Sequence, residues 1–202
     1  AGLCLLLGLP LAWILAHVTF RGRRILRALV LLPMVLPPVV AGTALLFALS
    51  PRNGLIGPTL DDWFGLRLPF TTAGAVLAAT VVALPFFVIT VEAAFSGETG
   101  ELEDAAATLG ARPSYVFRRI TLPRIAPAIL GGLALSWARA LGEFGATLTF
   151  AGNVPGKTQT LPLATFLNLE AGRNNAALAL SLVLLAVSLT VLLSMRDRWL
   201  IR

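Results

Sequence analysis

The sequence predicts an all-α integral membrane protein, a polytopic bundle of five transmembrane helices with one cytoplasmic helical loop. Three observations lead there. Of 202 residues, 57% are hydrophobic and 13% charged; soluble domains carry about 25% charged residues, so this chain has too little polar surface to face water on every side. Its apolar residues fall into five runs of about 20 residues, the length that crosses a hydrocarbon core of about 30 Å. Its charges sit in short clusters between those runs. Helices are the spanning form these runs allow, because each backbone N–H and C=O must be satisfied within its own segment, whereas barrel strands need only about 10 alternating residues.

The first run covers residues 1–20 and is uncharged until Arg21. The chain opens at Ala1 with no basic leader and no small-residue cleavage pattern after it, which reads as a truncated start and not as a signal peptide. Cys4 is the one cysteine, so no internal disulfide forms; it is expected as a small core or lipid-facing residue. His17 has no second ligand type nearby, so no metal site is expected there; a position at a membrane boundary is. The second run, 28–50, contains Pro33, Pro37 and Pro38. Proline removes a backbone bond and kinks a helix, and two readings stand: helix shaping for packing, or a translocation pathway shaped by Pro37 and Pro38. The third run, 69–95, is uncharged to Val91 and holds Pro85. The fourth, 125–150, is interrupted by Arg139 and Glu143 and carries Ala138, Gly142 and Ala146 four apart, a spacing that lets another helix approach closely. The fifth covers 174–195, preceded by a short helix expected over 161–170. The whole chain, 1–202, reads as one transmembrane domain.

Orientation follows from the basic residues in the connections. Arg21, Arg23, Arg24 and Arg27 follow the first run, Arg112, Arg118, Arg119 and Arg124 the third, and Arg196, Arg198 and Arg202 the fifth. Against these eleven, the other side has only Arg52, Arg67, Lys157 and Arg173. The richer side is therefore expected to be cytoplasmic, with the N-terminus outside and the C-terminus inside. The net charge of +6 thus anchors helix ends at a lipid bilayer's anionic leaflet, and no nucleic-acid partner is expected.

The loop 96–124 is the most informative stretch. Residues 101–109 are strong helix formers with acids in the first turn, where the helix dipole favours them. Gly110 stands where a left-handed cap is expected, Pro113 suits the first turn of a second helix, and Pro123 and Pro127 are expected to break the chain before the fourth run. Leu102, Ala105, Ala106 and Leu109 make one apolar stripe at helical spacing. Such a stripe in a polar loop needs cover, from the protein's own helix ends or from a partner.

Seven of these residues carry a resemblance. Asp104, Ala105 and Ala106, then Gly110, then Ile120, Leu122 and Pro123, match in register the EAA motif of ABC importer permeases, with Asp where that motif has Glu. The fourth run is also similar to one branch of that family: Ala138-Arg-Ala-Leu-Gly-Glu-Phe-Gly145 resembles the oxyanion permeases, sulfate members included. The continuation Gly156-Lys-Thr-Gln-Thr-Leu-Pro162 looks more like molybdate or tungstate members. The likeness runs from Arg21 to the fifth run.

The resemblance implies a type I ABC importer permease fold in a bacterial-type inner membrane. It implies a coupling helix, with Glu103, Asp104, Ala105, Ala106, Leu109, Gly110, Ile120, Leu122 and Pro123 engaging an ATPase subunit. It also implies a homodimer, two cytoplasmic ATPase subunits that hold ATP and Mg, and an extracytoplasmic oxyanion-binding protein; no cofactor is expected on this chain. Molybdate is the expected substrate, with tungstate or sulfate and thiosulfate as the alternatives.

Arg139 and Glu143 lie one turn apart, and ionisable groups inside a membrane pair or face water. A self-neutralising pair that fixes packing and a pair lining the pathway both satisfy that rule. A pathway anion site must stay weak enough to release its ion. One motif is a decoy: Ala151 to Thr158 is near a phosphate-binding loop, but that loop needs a strand before it and a helix after it, and this one follows a membrane run on the outer side. Neither a His-Glu-x-x-His nor a Gly-x-Ser-x-Gly motif occurs, so an intramembrane enzyme is not expected; a passive scaffold is the remaining alternative, against which the coupling motif argues.

Overall fold

The computed structural model describes the backbone of residues 1–98 and 100–199, and the side chains of 1–98 and 100–193. Arg202 lies outside the described residues, as do the side chains of Arg196 and Arg198. All regular elements described are helices: α1 Gly2–His17, α2 Arg23–Val35, α3 Pro38–Leu49, α4 Gly57–Phe64, α5 Thr72–Gly97, α6 Glu101–Thr108, α7 Pro113–Val116, α8 Leu122–Leu141, α9 Gly145–Ala151, α10 Leu161–Glu170 and α11 Asn174–Trp199. A π-turn, Phe117–Thr121, joins α7 to α8.

Three helical stretches are long and apolar enough to cross a bilayer: Thr72–Gly97, Pro113–Leu141 and Asn174–Leu193. The first apolar run forms the shorter α1, whose 16 residues span about 24 Å at 1.5 Å per residue. The second run differs from a single kinked helix. It is two helices, because α2 stops at Val35, Leu36 and Pro37 are extended, and Pro38 starts α3. Tandem prolines explain the break: a residue before proline is pushed out of the helical region, and Pro38 at the first helical position lacks only an N–H with no intrahelical acceptor.

The fourth run is also interrupted, but not where Pro123 and Pro127 predicted. From Pro113 to Leu141 the chain stays helical. The π-turn lets the Leu122 amide reach back to the Phe117 carbonyl, a one-residue register shift just before Pro123, which then sits in the first turn of α8. Pro127 is carried inside that helix. The interruption comes instead at Gly142–Phe144, between α8 and α9.

α5 is the central pillar, packed against α1, α8 and α9. One core cluster joins Cys4, Ala12, Leu15, Phe87, Val88, Val91 and Ile125; a second joins Leu49, Ala78, Val82, Ala146 and Phe150. Cys4 is therefore a core residue. Close approach of α5 and α8 depends on Gly132, where an added Cβ would lie 3.1 Å from the Phe87 ring. The expected small-residue stripe does not serve this purpose: Ala138 and Gly142 are exposed, and Ala146 belongs to the next helix.

Two ends are distinct. At one, the His17 ring meets Trp13 and Phe95, the Arg23 guanidinium donates to the Leu15 carbonyl at the end of α1, and Arg27 pairs with Glu92. At the other, the Phe70 amide donates to the Phe150 carbonyl at 3.1 Å and the Thr72 hydroxyl to the Lys157 carbonyl at 2.9 Å. The helical loop α6–α7 hangs from the first end.

Candidate functional site

Sequence chemistry shapes the loop residue by residue. α6 starts after Gly100, at φ +77°, and puts Glu101, Glu103 and Asp104 in its first turn. It ends in a paired cap: the Gly110 amide donates to the Ala107 carbonyl at 2.9 Å and the Ala111 amide to the Ala106 carbonyl at 3.0 Å. This is the Schellman pattern, which needs a left-handed residue between, and Gly110 supplies it at φ +82°. Pro113 then opens α7 in its first turn.

Two polar contacts fasten the loop to the bundle. The Thr121 hydroxyl donates to Glu103 Oε1 at 2.9 Å, and Arg124 pairs with Glu98 at 2.6 Å. Glu103 is therefore a brace, while Asp104 faces outward. The apolar stripe is not folded back on the chain. Leu109 is 88% exposed and Leu102 52%, Ala105 is exposed, and only Ala106 is half-buried. Leu109 rims a cleft with Arg112, Tyr115, Arg118 and Arg119. At the other end of α6, Leu102 shares a second cleft with Ile120 and Pro123; Leu122 is half-buried. Predicted loop residues are thus gathered around one protruding helix with an exposed apolar stripe, acids in its first turn and arginines beyond its end, a surface suited to a partner with an apolar groove.

A second constellation forms where the two interrupted helices meet. α3 packs against α9. A Cβ on Gly145 would lie 3.1 Å from Pro38 and Val39, and one on Gly42 would lie 2.8 Å from the Ala146 Cα. The break at Pro37–Pro38 is thereby set beside the break that holds Glu143.

Arg139 and Glu143 do pair, at 2.7 Å, but they do not share a helix face. Glu143 stands past the end of α8, in the break. Its other oxygen accepts from the Ala146 amide at 2.7 Å, in the first turn of α9. The carboxylate thus closes one helix and opens the next, as the unmatched amides of a helix start require. Its side chain is 1% exposed; that of Arg139 is 26%. Pro37, Pro38, Ala138 and Gly142 are exposed around it. In the first turn of α9, Thr147 is buried and its hydroxyl makes no hydrogen bond.

Sequence reasoning did not single out Thr147, Gly42, Gly145 or the brace Thr121. A lone Thr or Gly in an apolar run carries no pattern; only their contacts do. The near phosphate-binding loop has no strand before it. A helix precedes it, and Thr158 turns inward to accept the Val154 amide at 2.9 Å.

Comparison with known proteins bears on the chain as a whole. Residues 8–201 match the family model described as "Binding-protein-dependent transport system inner membrane component". The chain is 50% identical over 97% of its length to the molybdenum transport system permease protein ModB of Mycobacterium tuberculosis, covering 73% of that protein. It is 43% identical to ModB of Escherichia coli K12 over 96% of this chain and 84% of that one. The sulfate transport system permease protein CysT of Salmonella typhimurium is 41% identical over 93% of this chain and 67% of its own. Among solved structures, a bacterial ABC transporter involved in alginate import aligns over 100% of this chain and 76% of its own, with a TM-score of 0.72 at 23% identity.

Proposed function

Because the chain belongs to the family of binding-protein-dependent transport system inner membrane components, and is thus a multi-pass membrane permease subunit of an ABC importer, we propose that its cargo is an oxyanion, foremost molybdate. The observation that carries the cargo is the identity of 43–50% with molybdenum permeases over nearly the whole chain. Sulfate is the second reading, supported by the 41% identity with sulfate permeases.

The working unit is two copies of this chain, two cytoplasmic ATPase subunits that hold ATP and Mg, and an extracytoplasmic oxyanion-binding protein. This chain holds no ATPase site of its own. It crosses the membrane five times in one domain, with α2 and α3 together as the second crossing and α8 and α9 as the fourth. Its N-terminus is outside and its C-terminus inside. The concentration of Arg21, Arg23, Arg24, Arg27, Arg112, Arg118, Arg119 and Arg124 at the end bearing the helical loop supports that orientation.

Coupling runs through α6. The exposed Leu102 and Leu109, with Asp104, Ala105 and Ala106 between them, seat in a groove of the ATPase. Closure of the ATPase pair pulls on α6, and the braces Glu103–Thr121 and Glu98–Arg124 pass that movement to α8. Ile120, Leu122 and Pro123 lie at the junction. Movement of α8 acts on the break at Gly142–Phe144, where Arg139, backed by the buried Glu143, lines the pathway with Pro37 and Pro38. Discontinuous helices are where transporters place their cargo sites. The neutralised Arg139 offers an anion a partner without becoming a deep trap.

The test is ATP-driven uptake of labelled molybdate by the reconstituted complex with its binding protein, challenged with tungstate and sulfate. Competition by tungstate and not by equimolar sulfate is expected; stronger competition by sulfate reassigns the cargo, and uptake without ATP removes the importer reading.

A further inference from the structure

The turn between α1 and α2 carries four arginines within seven residues, Arg21, Arg23, Arg24 and Arg27, and the first sixty residues contain no acid. The structure divides these four. Arg23 donates to the Leu15 carbonyl and Arg27 pairs with Glu92, so both are committed to the protein. Arg21 and Arg24 are exposed and line a cleft with Thr19, Phe20 and Ile25. Gly22, at φ +104°, turns the chain there into α2. In the first turn of α2 the Arg24 and Ile25 amides have no backbone acceptor, as helix starts leave them.

Ile25, which lines this cleft, also begins an apolar stripe: Leu29 and Leu32 follow it at helical spacing and all three are exposed, Ile25 by 66%. A cationic cleft that opens onto an apolar stripe, at a helix end on the membrane boundary, matches a ligand with a phosphate at one end and an acyl chain at the other. A small anion would use the arginines and leave the stripe bare. The stripe leads from Arg21 and Arg24 into the membrane run, where a lipid chain lies.

We infer that Arg21, Arg24 and the exposed face of α2 form a binding site for one anionic phospholipid, with its phosphate between the two guanidinium groups and a chain along Ile25, Leu29 and Leu32. Each basic residue near an anionic lipid surface adds roughly a factor of five in affinity. The site is independent of the coupling loop and of the cargo.

Native mass spectrometry of the detergent-purified transporter complex, titrated with phosphatidylglycerol and with phosphatidylcholine, tests this. Wild type should retain phosphatidylglycerol in preference to phosphatidylcholine. The R21Q/R24Q double variant should bind phosphatidylglycerol about 25-fold more weakly, while R52Q, at the opposite end, should match wild type. Co-purification of the ATPase subunit with the double variant reports that the protein is intact. Inorganic phosphate at 10 mM, roughly the upper end of millimolar ligand affinity, should leave the lipid bound. Equal retention of both lipids, an unchanged double variant, displacement by inorganic phosphate, or loss of the ATPase in place of the lipid would each overturn the inference.

Discussion

Replacing Glu143 separates what the Arg139–Glu143 pair does for folding from what it does for transport. In Glu143→Gln the amide oxygen still accepts from the Ala146 amide, now at 2.7 Å, so α9 keeps its start. The NH2 group then faces Arg139, donor against donor. Breaking a fully buried pair costs about 3–5 kcal/mol, because a charge is left uncompensated. Here the Glu143 side chain is 1% exposed but that of Arg139 is 26%, and partial hydration lowers the figure to about 2 kcal/mol. Arg139→Gln should cost a similar amount by stranding the carboxylate. The double variant, with two amides that can bond each other, should lose about 1 kcal/mol, a coupling of about 3 kcal/mol in the cycle. Unfolding of the purified chain in mixed micelles by denaturing detergent measures all four corners, and uptake by the reconstituted complex is read beside them. If the single losses add to within about 0.5 kcal/mol, the ion pair is not what joins α8 to α9. If the double variant is folded and transports at the wild-type rate, the pair does not line the pathway.

Further substitutions probe the other links. Gly110→Val meets open space around its Cβ, so its cost of over roughly 1 kcal/mol is purely the left-handed backbone; uptake should fall while membrane insertion survives, as read by immunoblot of membrane fractions. Leu109→Asp, at a side chain 88% exposed, should leave the melting of the isolated chain unchanged and weaken ATPase co-purification by about 30-fold, the size of an interface hot spot. Thr121→Val removes the 2.9 Å bond to Glu103 and should cost about 1 kcal/mol locally, seen as faster hydrogen exchange in α6. Gly132→Leu drives a side chain into Phe87 and should destabilise by about 1–3 kcal/mol without touching α6.

What could be read in the sequence is what local chemistry alone decides. The stretch 101–113 is such a case: acids at a helix start, a glycine at its end and a proline opening the next helix act within a few residues, and α6, its Gly110 cap and α7 follow. α10 at Leu161–Glu170 is another. The interruptions were harder. Pro37 and Pro38 signal a disturbance, but whether a helix bends or stops depends on whether a neighbour takes up the freed groups, and here α9 lies against the break. At Pro123 the disturbance is absorbed by the π-turn Phe117–Thr121, which ends two residues earlier and which no spacing rule announces. Arg139 and Glu143 have the i, i+4 spacing of a helix pair whether or not a helix joins them; the stop at Gly142 is set by Glu143 capping α9 instead. α4, Gly57–Phe64, lay in a stretch read only as a connection, since eight residues make too few turns for a periodic signal.

The central claim is that α6 carries the ATPase's movement into the membrane helices from the cytoplasmic side. A single cysteine at Leu109, in a chain whose buried Cys4 is replaced by Ser, tests it in sealed right-side-out vesicles of the assembled transporter. The account predicts that an impermeant maleimide leaves this thiol unlabelled until the membrane is opened, and that a short bifunctional crosslinker then joins it to the ATPase subunit. Labelling from outside in intact vesicles, or a crosslink to any partner but the ATPase, contradicts it.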